Sequence, residues 1–276
     1  MAGETPLSAH SPFDLRVHLG DGVPETDVQS ALASGDLGFL HSFTTGSAVD
    51  GPGVRVVAWT TGCMWRCLYC HNPDTWAMRN GIPVTVWRAT EELRKYARDL
   101  KVMNGGVTFS GGEPLMQDRF IVKLLAAAKG MGVHTALETN GYFGDKLSDA
   151  ELSTVDLVLL GLKAWGNDKH KLLTGRDQER TLGFARRLSQ AKKPVWVRFV
   201  LVPGLTDAAE DIRNIARFAA SLANVERVDV LPFHQLGRFK WQKLGIHYQL
   251  DDTPEPTLEA TERAVALFRD QGLTAY

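Results

Sequence analysis

Three cysteines, Cys63, Cys67 and Cys70, lie within eight residues in a CxxxCxxC pattern, and they are the only cysteines in the chain. Closely spaced thiols can form a disulfide, a structural zinc site or a part of the core. A structural zinc site normally has four ligands, usually as two pairs, and no second pair exists here, although His71 could be a fourth ligand. Three thiolates suit a cubane iron–sulfur cluster better, because they bind three irons and leave the fourth open.

The composition is that of an ordinary globular protein. Hydrophobic residues make up 44% of the 276 residues, and 31 Lys and Arg against 32 Asp and Glu give a formal net charge of −1. That balance lacks the basic surplus of nucleic-acid-binding proteins, and no apolar run approaches the roughly 18 residues of a membrane span. Charged residues also interrupt any N-terminal signal sequence. These features predict a cytoplasmic enzyme with no nucleic-acid or membrane partner.

Apolar strand patterns and amphipathic helix patterns alternate along most of the chain. The predicted strands are Val54–Thr60, Val107–Ser110, Thr135–Glu138, Leu157–Lys163, Val195–Val202 and Val225–Leu231. The predicted helices are Trp87–Met103, Asp118–Met131, Ser148–Ser153, Glu179–Ala191, Ala208–Leu222 and Thr257–Gln271. Strands that are apolar throughout and alternate with helices are typical of a parallel sheet covered by helices. Six such units fit an α/β barrel, complete or partial, or a doubly wound sheet.

The N-terminal part of the chain differs from the rest. Residues 1–38 contain several prolines and little periodicity, which predicts a loosely ordered extension with a short helix around Val28–Ala33. Residues 39–276 contain no linker and are interpreted as one catalytic domain.

Polar or glycine-rich residues follow the same end of all six predicted strands. The first strand leads into the cysteine loop, and the others lead to Ser110-Gly111-Gly112-Glu113, Glu138-Thr139-Asn140-Gly141, Lys163, Pro203-Gly204 and Pro232-Phe233-His234. Any one glycine pair could be a simple turn. In barrel enzymes, however, the working groups lie at the carboxyl ends of the strands, so the repetition favours a barrel with its active site there.

These motifs resemble the radical S-adenosylmethionine (SAM) superfamily and, within it, the activating enzymes of glycyl radical enzymes, most closely those of the pyruvate formate-lyase type. The most specific parts are the Cys63–Trp76 segment and Asp50-Gly51-Pro52-Gly53. Many related activases carry a ferredoxin-like insertion with further cysteines, and this chain has none to spare. The resemblance implies a partial (β/α)6 radical SAM barrel preceded by the N-terminal extension.

The resemblance also implies the cofactors and the reaction. Cys63, Cys67 and Cys70 would hold one [4Fe–4S] cluster, whose open iron binds the amino and carboxylate groups of SAM. One electron from the cluster would cleave SAM to methionine and a 5′-deoxyadenosyl radical, which takes hydrogen from a glycine Cα of the partner, pyruvate formate-lyase or a similar enzyme. A monomeric chain served by a low-potential donor such as flavodoxin or ferredoxin is expected. The alternatives are activation of a different glycyl radical enzyme, another radical SAM substrate, or a scaffold without turnover.

The family pattern assigns further residues to the site. The residues implied for SAM binding are Tyr69, His71, Gly111, Gly112, Glu113, Glu138, Thr139, Leu162, Lys163 and His234. The glycine pair would let the backbone approach the methionine ammonium, and Lys163 would neutralise the carboxylate. Asp50 and Arg198 would hold the substrate glycine loop, although Arg198 could instead hold SAM and the Asp50 segment could be only a tight turn.

Two positions depart from the family pattern: Glu138 stands where an aspartate is usual, and position 161 differs more strongly. Gly161-Leu162-Lys163 stands where family members commonly have Asp-Leu-Lys. That aspartate can contact the ribose or serve a monovalent-cation site, whereas a glycine offers only its backbone. The sequence therefore does not decide whether a monovalent-cation site exists at this position.

Overall fold

The computed structural model describes residues 28–276. Helix α1 (Val28–Ser34) lies where the sequence predicts a short helix, and strand β1 (Leu37–Ser47) begins two residues before the predicted domain start. Residues 1–27 of the predicted extension lie outside the described residues, so its loose order and its role as a separate segment stay predictions.

One sheet forms the centre of the described chain, and its strands are ordered β3-β1-β2-β4-β5-β6-β7-β8. The remaining strands are β2 (Arg55–Thr60), β3 (Ile82–Thr85), β4 (Gly106–Gly111), β5 (His134–Thr139), β6 (Leu157–Gly161), β7 (Val195–Leu201) and β8 (Val225–Pro232). β1 pairs antiparallel with both β2 and β3, and neither β1 nor β3 was predicted. The six strands that the sequence predicted, β2 and β4 to β8, are all parallel.

The strand order decides between the two predicted architectures. In a doubly wound sheet the order reverses near the middle, but here the six parallel strands follow one another in chain order. A sheet with this strand order curls in one direction, as in a barrel. Among the described residues its edge strands β3 and β8 do not pair, so the barrel is not closed. The predicted partial barrel is therefore confirmed, and the doubly wound alternative is wrong.

Helices follow most of the parallel strands. They are α2 (Val86–Val102), α3 (Asp118–Gly130), α4 (Asp149–Leu152), α5 (Asn167–Thr174), α6 (Glu179–Gln190), α7 (Ala209–Ala220), α8 (Arg238–Lys243) and α9 (Leu258–Arg269). The sequence did not predict α5 and α8, because both are short and, unlike α4, begin at a glycine without a capping side chain. No helix among residues 28–276 is both long enough and apolar enough to cross a bilayer.

The two faces of the parallel strands have different roles. Successive side chains of a strand point to opposite faces, and in β4 Val107 and Phe109 pack into the core with the surrounding helices. Their neighbours Thr108 and Ser110 point the other way, into the barrel, where polar groups replace the apolar core. This alternation gives the barrel an apolar wall and a polar interior.

Arg55 anchors the amino-terminal end of this interior. Its side chain is fully buried, and its guanidinium donates to Val107 O (2.5 Å) and to Thr108 Oγ1 (3.0 Å). Burial lowers the pKa of Arg55 to about 10, since the charged form loses its hydration there. The arginine that follows the Asp50-Gly51-Pro52-Gly53 segment is thus a structural crosslink between β2 and β4.

Candidate active site

The cysteine loop follows β2, and its first residues are held by the short turn that comes after the last cysteine. Gly62 N donates to Thr75 O (2.7 Å), and Cys63 N donates to Trp76 O (3.0 Å). The loop therefore folds back on itself, so that its first cysteine is held by the end of the motif.

The two unpredicted helices hold the remainder of the loop. Arg66 N donates to Thr174 O at the end of α5 (2.8 Å), and the indole Nε1 of Trp241 in α8 donates to Cys70 O (2.8 Å). Elements more than 100 residues away in sequence thus fix the positions of the cysteines.

All three cysteines are free, partly buried, and line one cavity of about 280 Å³. Burial raises the pKa of each thiol, that of Cys67 to about 12, because a thiolate loses its hydration inside the protein. Thiolates at this position would consequently need a positively charged centre, such as bound metal ions, to stabilise them.

The geometry of the thiols distinguishes between the possible centres. None is in a disulfide, and residues 28–276 contain no group of three Cys, His, Asp or Glu side chains arranged to hold a metal ion. A zinc ion would require every sulfur at about 2.3 Å from one point, whereas a cubane offers each thiolate a separate iron. Three free thiols at one cavity, without a fourth ligand arranged beside them in the described chain, fit a cluster with an open iron better than a four-ligand zinc site.

Gly111 and Gly112 line the cavity, but the space that they leave open belongs to the protein backbone. Gly111 has a φ of +115°, and a Cβ there would lie 2.3 Å from Thr60 N. A Cβ on Gly112 would lie 2.4 Å from Gly62 O. The missing side chains allow β4 to pack against β2 and the start of the cysteine loop. Both glycines line the cavity, so the expected approach of their backbone to a methionine ammonium stays a prediction.

Glu113 ties the end of β4 to the end of β5. Its carboxylate accepts hydrogen bonds from Thr139 Oγ1 (2.7 Å), Asn140 N (2.8 Å) and Leu115 N (3.0 Å). Burial raises the pKa of Glu113, and these hydrogen bonds oppose that shift. Thr139 and Asn140 line the cavity but Glu113 does not, so Glu113 acts on the site through them.

Asp50 and Arg198 meet inside the barrel although 148 residues separate them. Arg198 Nη1 lies 3.3 Å from Asp50 Oδ1 and 3.5 Å from Glu138 Oε1, and Ser110 Oγ donates to Glu138 Oε2 (2.6 Å). Burial by itself would lower the pKa of Arg198, but the carboxylates of Glu138, Asp50 and Asp229 raise it above its usual value. The Nε of Arg198 is buried without a hydrogen-bond partner in the described chain.

Lys163 also lines the cavity and is only partly buried. It forms no hydrogen bond or ion pair with any residue of 28–276. Leu162, in contrast, is 3% exposed, packs in the hydrophobic core and does not line the cavity. Its backbone N donates to Arg198 O (3.2 Å), so its contribution is to hold β6 against β7.

Tyr69 lines the cavity and is buried against Phe233 and Trp241, and its hydroxyl has no hydrogen-bond partner among the described residues. His71 also lines the cavity, and its ring stacks on His234 with centroids 4.0 Å apart. Burial and the neighbouring His234 lower the pKa of His71 to about 4, so this ring is neutral at pH 7. His234 supports His71 from outside the cavity lining.

Several lining residues were not identified from the sequence as site residues. They are Trp59, Trp65, Asn72, Thr75, Trp76, Asn140, Val200 and Leu231. Trp59 shares the inner face of the sheet with Ser110, its partner in the register of β2 and β4, so strand alternation was the available signal. The indole Nε1 of Trp65 is buried without a partner, as are the Tyr69 hydroxyl and Arg198 Nε.

These unpartnered groups bear on what the cavity holds. Buried polar atoms are almost always hydrogen-bonded in folded proteins, and here several without partners belong to residues around one cavity that also contains the three thiols. The residues therefore fit a polar ligand that accepts hydrogen bonds.

Comparison with known proteins agrees with this geometry. Residues 57–219 match the family model of the radical SAM superfamily. The chain is 45% identical over 235 residues to the pyruvate formate-lyase-activating enzyme of Staphylococcus epidermidis, covering 82% of this chain and 93% of the relative. The corresponding enzyme of Staphylococcus aureus strain USA300 is 46% identical with the same coverage.

Solved structures show the same fold. A domain of a pyruvate formate-lyase-activating enzyme from Bacteroides vulgatus superimposes with a TM-score of 0.51 at 26% identity, covering 62% of this chain and 98% of that domain. A radical SAM methyltransferase from Sphaerobacter thermophilus, at 17% identity, gives a TM-score of 0.57 over 92% of this chain and 81% of that one. The chain belongs to the radical SAM superfamily and, within it, to the family of pyruvate formate-lyase-activating enzymes.

Proposed function

We propose that this protein activates a pyruvate formate-lyase by generating a glycyl radical on it, with one [4Fe–4S] cluster held by Cys63, Cys67 and Cys70. The observation that carries the proposal is the convergence of three free, partly buried thiols on the cavity that also contains Lys163, Asp50 and Arg198. The high identity to activating enzymes over most of both chains supports the same reaction.

The cavity offers a place for each part of SAM. Lys163 is the cation available for the carboxylate, since Arg198 already pairs with Asp50 and Glu138. Tyr69 presents an apolar ring for the adenine and a free hydroxyl. Thr139, on the rim of β5, is held in place by Glu113. His71 is kept neutral by burial and by His234, and is suited to hydrogen-bond the cofactor without adding charge.

A bound cluster and SAM would supply the radical chemistry that removes a hydrogen atom from the glycine Cα. The chain's own residues orient the reactants. Asp50 and Arg198 form a buried pair that lines the cavity, and we assign the incoming glycine loop to this pair. A fixed loop matters because a misplacement of about 1 Å can cost on the order of 100-fold in rate.

The remaining features of the proposal concern the surroundings of the enzyme. Reduction of the cluster requires a low-potential donor such as flavodoxin or ferredoxin, and we propose that the chain acts as a monomer. Free thiol ligands persist in a reducing compartment, so we assign the activity to the cytoplasm.

The test uses anaerobically reconstituted protein, SAM and a pyruvate formate-lyase. Electron paramagnetic resonance (EPR) should detect a glycyl radical on the lyase, and chromatography should detect 5′-deoxyadenosine in matching amounts. If 5′-deoxyadenosine formed but the lyase gained no radical, while another glycyl radical enzyme did, the substrate assignment would be wrong. If neither product formed with a chemical reductant present, the protein would not be an active radical SAM enzyme.

A further inference from the structure

The end of β6 has an unusual arrangement of a glycine and a lysine. Gly161 is buried, lines the cavity and pairs in register with Arg198 of β7. Its backbone lies in a regular strand without a positive φ, so other residues could adopt it. Backbone geometry therefore does not explain why a glycine stands there.

The side chain of Lys163 does explain it. A Cβ on Gly161 would lie 2.8 Å from both Cε and Nζ of Lys163. The outer end of the lysine thus folds back over Gly161 and fills the volume that a side chain at this position would need. Because side chains two residues apart in an extended segment share a face, an apolar side chain at 161 displaces the ammonium, whereas the aspartate common in the family could pair with it.

The two cationic side chains near Gly161, those of Arg198 and Lys163, differ in how their charges are balanced. Arg198 is held by the carboxylates of Asp50 and Glu138. Lys163 has neither an ion pair nor a hydrogen bond within residues 28–276, and it lines the same cavity as Cys67 and Cys70. A partly buried ammonium without a partner is costly unless an anionic ligand completes its environment.

We propose that Gly161 is a positioning residue: its missing side chain sets the place of the Lys163 ammonium, which binds the carboxylate of SAM. This inference rests on the proposed function, because it takes SAM as the ligand of the cavity. It gives a physical role to a position where the sequence departs from the family pattern. Gly161 itself need not touch the ligand.

The experiment is a double-mutant cycle read by SAM binding. Isothermal titration calorimetry of oxidised, cluster-containing protein, which cannot turn over, is carried out for the parent, Gly161→Ala, Lys163→Met and the double variant. Gly161→Ala is expected to raise the Kd of SAM about tenfold, the scale of a weakened hydrogen bond to a charged group. In the Lys163→Met background the same substitution should have no further effect, since its target is gone.

Two controls separate positioning from general damage. Gly183→Ala, in α6, places a Cβ where nothing lies within 4 Å, and should leave the Kd unchanged. 5′-Methylthioadenosine, which lacks the amino acid part of SAM, should bind equally to the parent and to Gly161→Ala. Iron content and the unfolding midpoint of Gly161→Ala should match the parent, because only the flexible end of a lysine has to move.

The inference is overturned if Gly161→Ala binds SAM as the parent does, if its effect persists without Lys163, or if it loses iron or thermal stability. Those results would leave the proposed function intact as long as the parent binds and cleaves SAM. Failure of the parent to bind SAM would instead contradict the proposed function.

Discussion

Replacing Asp50 with Asn tests whether the buried pair with Arg198 serves the protein substrate rather than SAM. The substitution keeps the shape of the side chain and its contact with Ser47 Oγ (2.5 Å), but it removes the charge that faces Arg198 at 3.3 Å. Arg198 then retains only the longer contact with Glu138 at 3.5 Å. Weakening one hydrogen bond between charged groups costs about 1.5–3 kcal/mol, less than the roughly 5–15 kcal/mol that stabilise a typical domain. The variant should therefore fold and hold its cluster.

The two activities of the variant should separate. Without the charge, the Arg198 guanidinium is free to shift, and a glycine loop bound to it would be displaced from the reacting carbon. A displacement of about 1 Å is expected to slow radical formation on pyruvate formate-lyase on the order of 100-fold. SAM cleavage without the lyase should change much less, because Lys163 and the cysteine loop do not depend on Asp50.

The assay pairs EPR of the glycyl radical with chromatography of 5′-deoxyadenosine released in the absence of the lyase. Asp145→Asn is the matched control: Asp145 forms an exposed ion pair with Arg180, and such pairs contribute little. The control should behave as the parent in both assays. Equal losses of both activities in Asp50→Asn would refute the reasoning and would return the Asp50 segment to the role of a structural turn.

Three further variants test the frame of the site. Cys67→Ala should abolish SAM cleavage, measured as 5′-deoxyadenosine; cleavage at the parent rate would remove Cys67 from the ligand set. Gly112→Ala should lower the iron content and should lower the free energy of unfolding by about 1–3 kcal/mol, because its Cβ meets Gly62 O. Loss of SAM affinity with unchanged iron content and stability would instead favour the predicted role of Gly112 beside the methionine ammonium. Arg55→Met should lower the free energy of unfolding in urea by about 3–5 kcal/mol, since buried backbone acceptors and Thr108 lose their donor; an unchanged denaturation midpoint would exclude the proposed crosslink.

The parallel barrel could be predicted because its strands carry a strong local signal. In β4, for example, Val107 and Phe109 alternate with small polar residues and lead into a glycine pair, and this pattern needs no knowledge of distant residues. β1 was missed because five of its eleven residues are polar and only three are buried, and it is defined by pairing with β2 and β3 rather than by its own composition. Strands that depend on partners for their order are weakly encoded in local sequence.

The site residues differ in the same respect: some are defined by the local sequence, and others by contacts with distant residues. The thiols could be identified from spacing alone, because no other cysteine competes with them. The roles of Gly112 and Glu113 depend on contacts with Gly62 and Thr139, which come from other strand ends. Sequence analysis could place these residues at the site but could not state what each one touches.

The central claim is that the three cysteines and the adjoining cavity bind a cluster and SAM as one unit. The most direct measurement is EPR of the anaerobically reduced protein, recorded with and without SAM, together with iron and sulfide analysis. We predict about four irons and four sulfides per chain, as in a [4Fe–4S] cluster, and a reduced-cluster signal whose g values change on addition of SAM. Protein that retains no iron after reconstitution, or a cluster signal that SAM leaves unchanged, would contradict the claim.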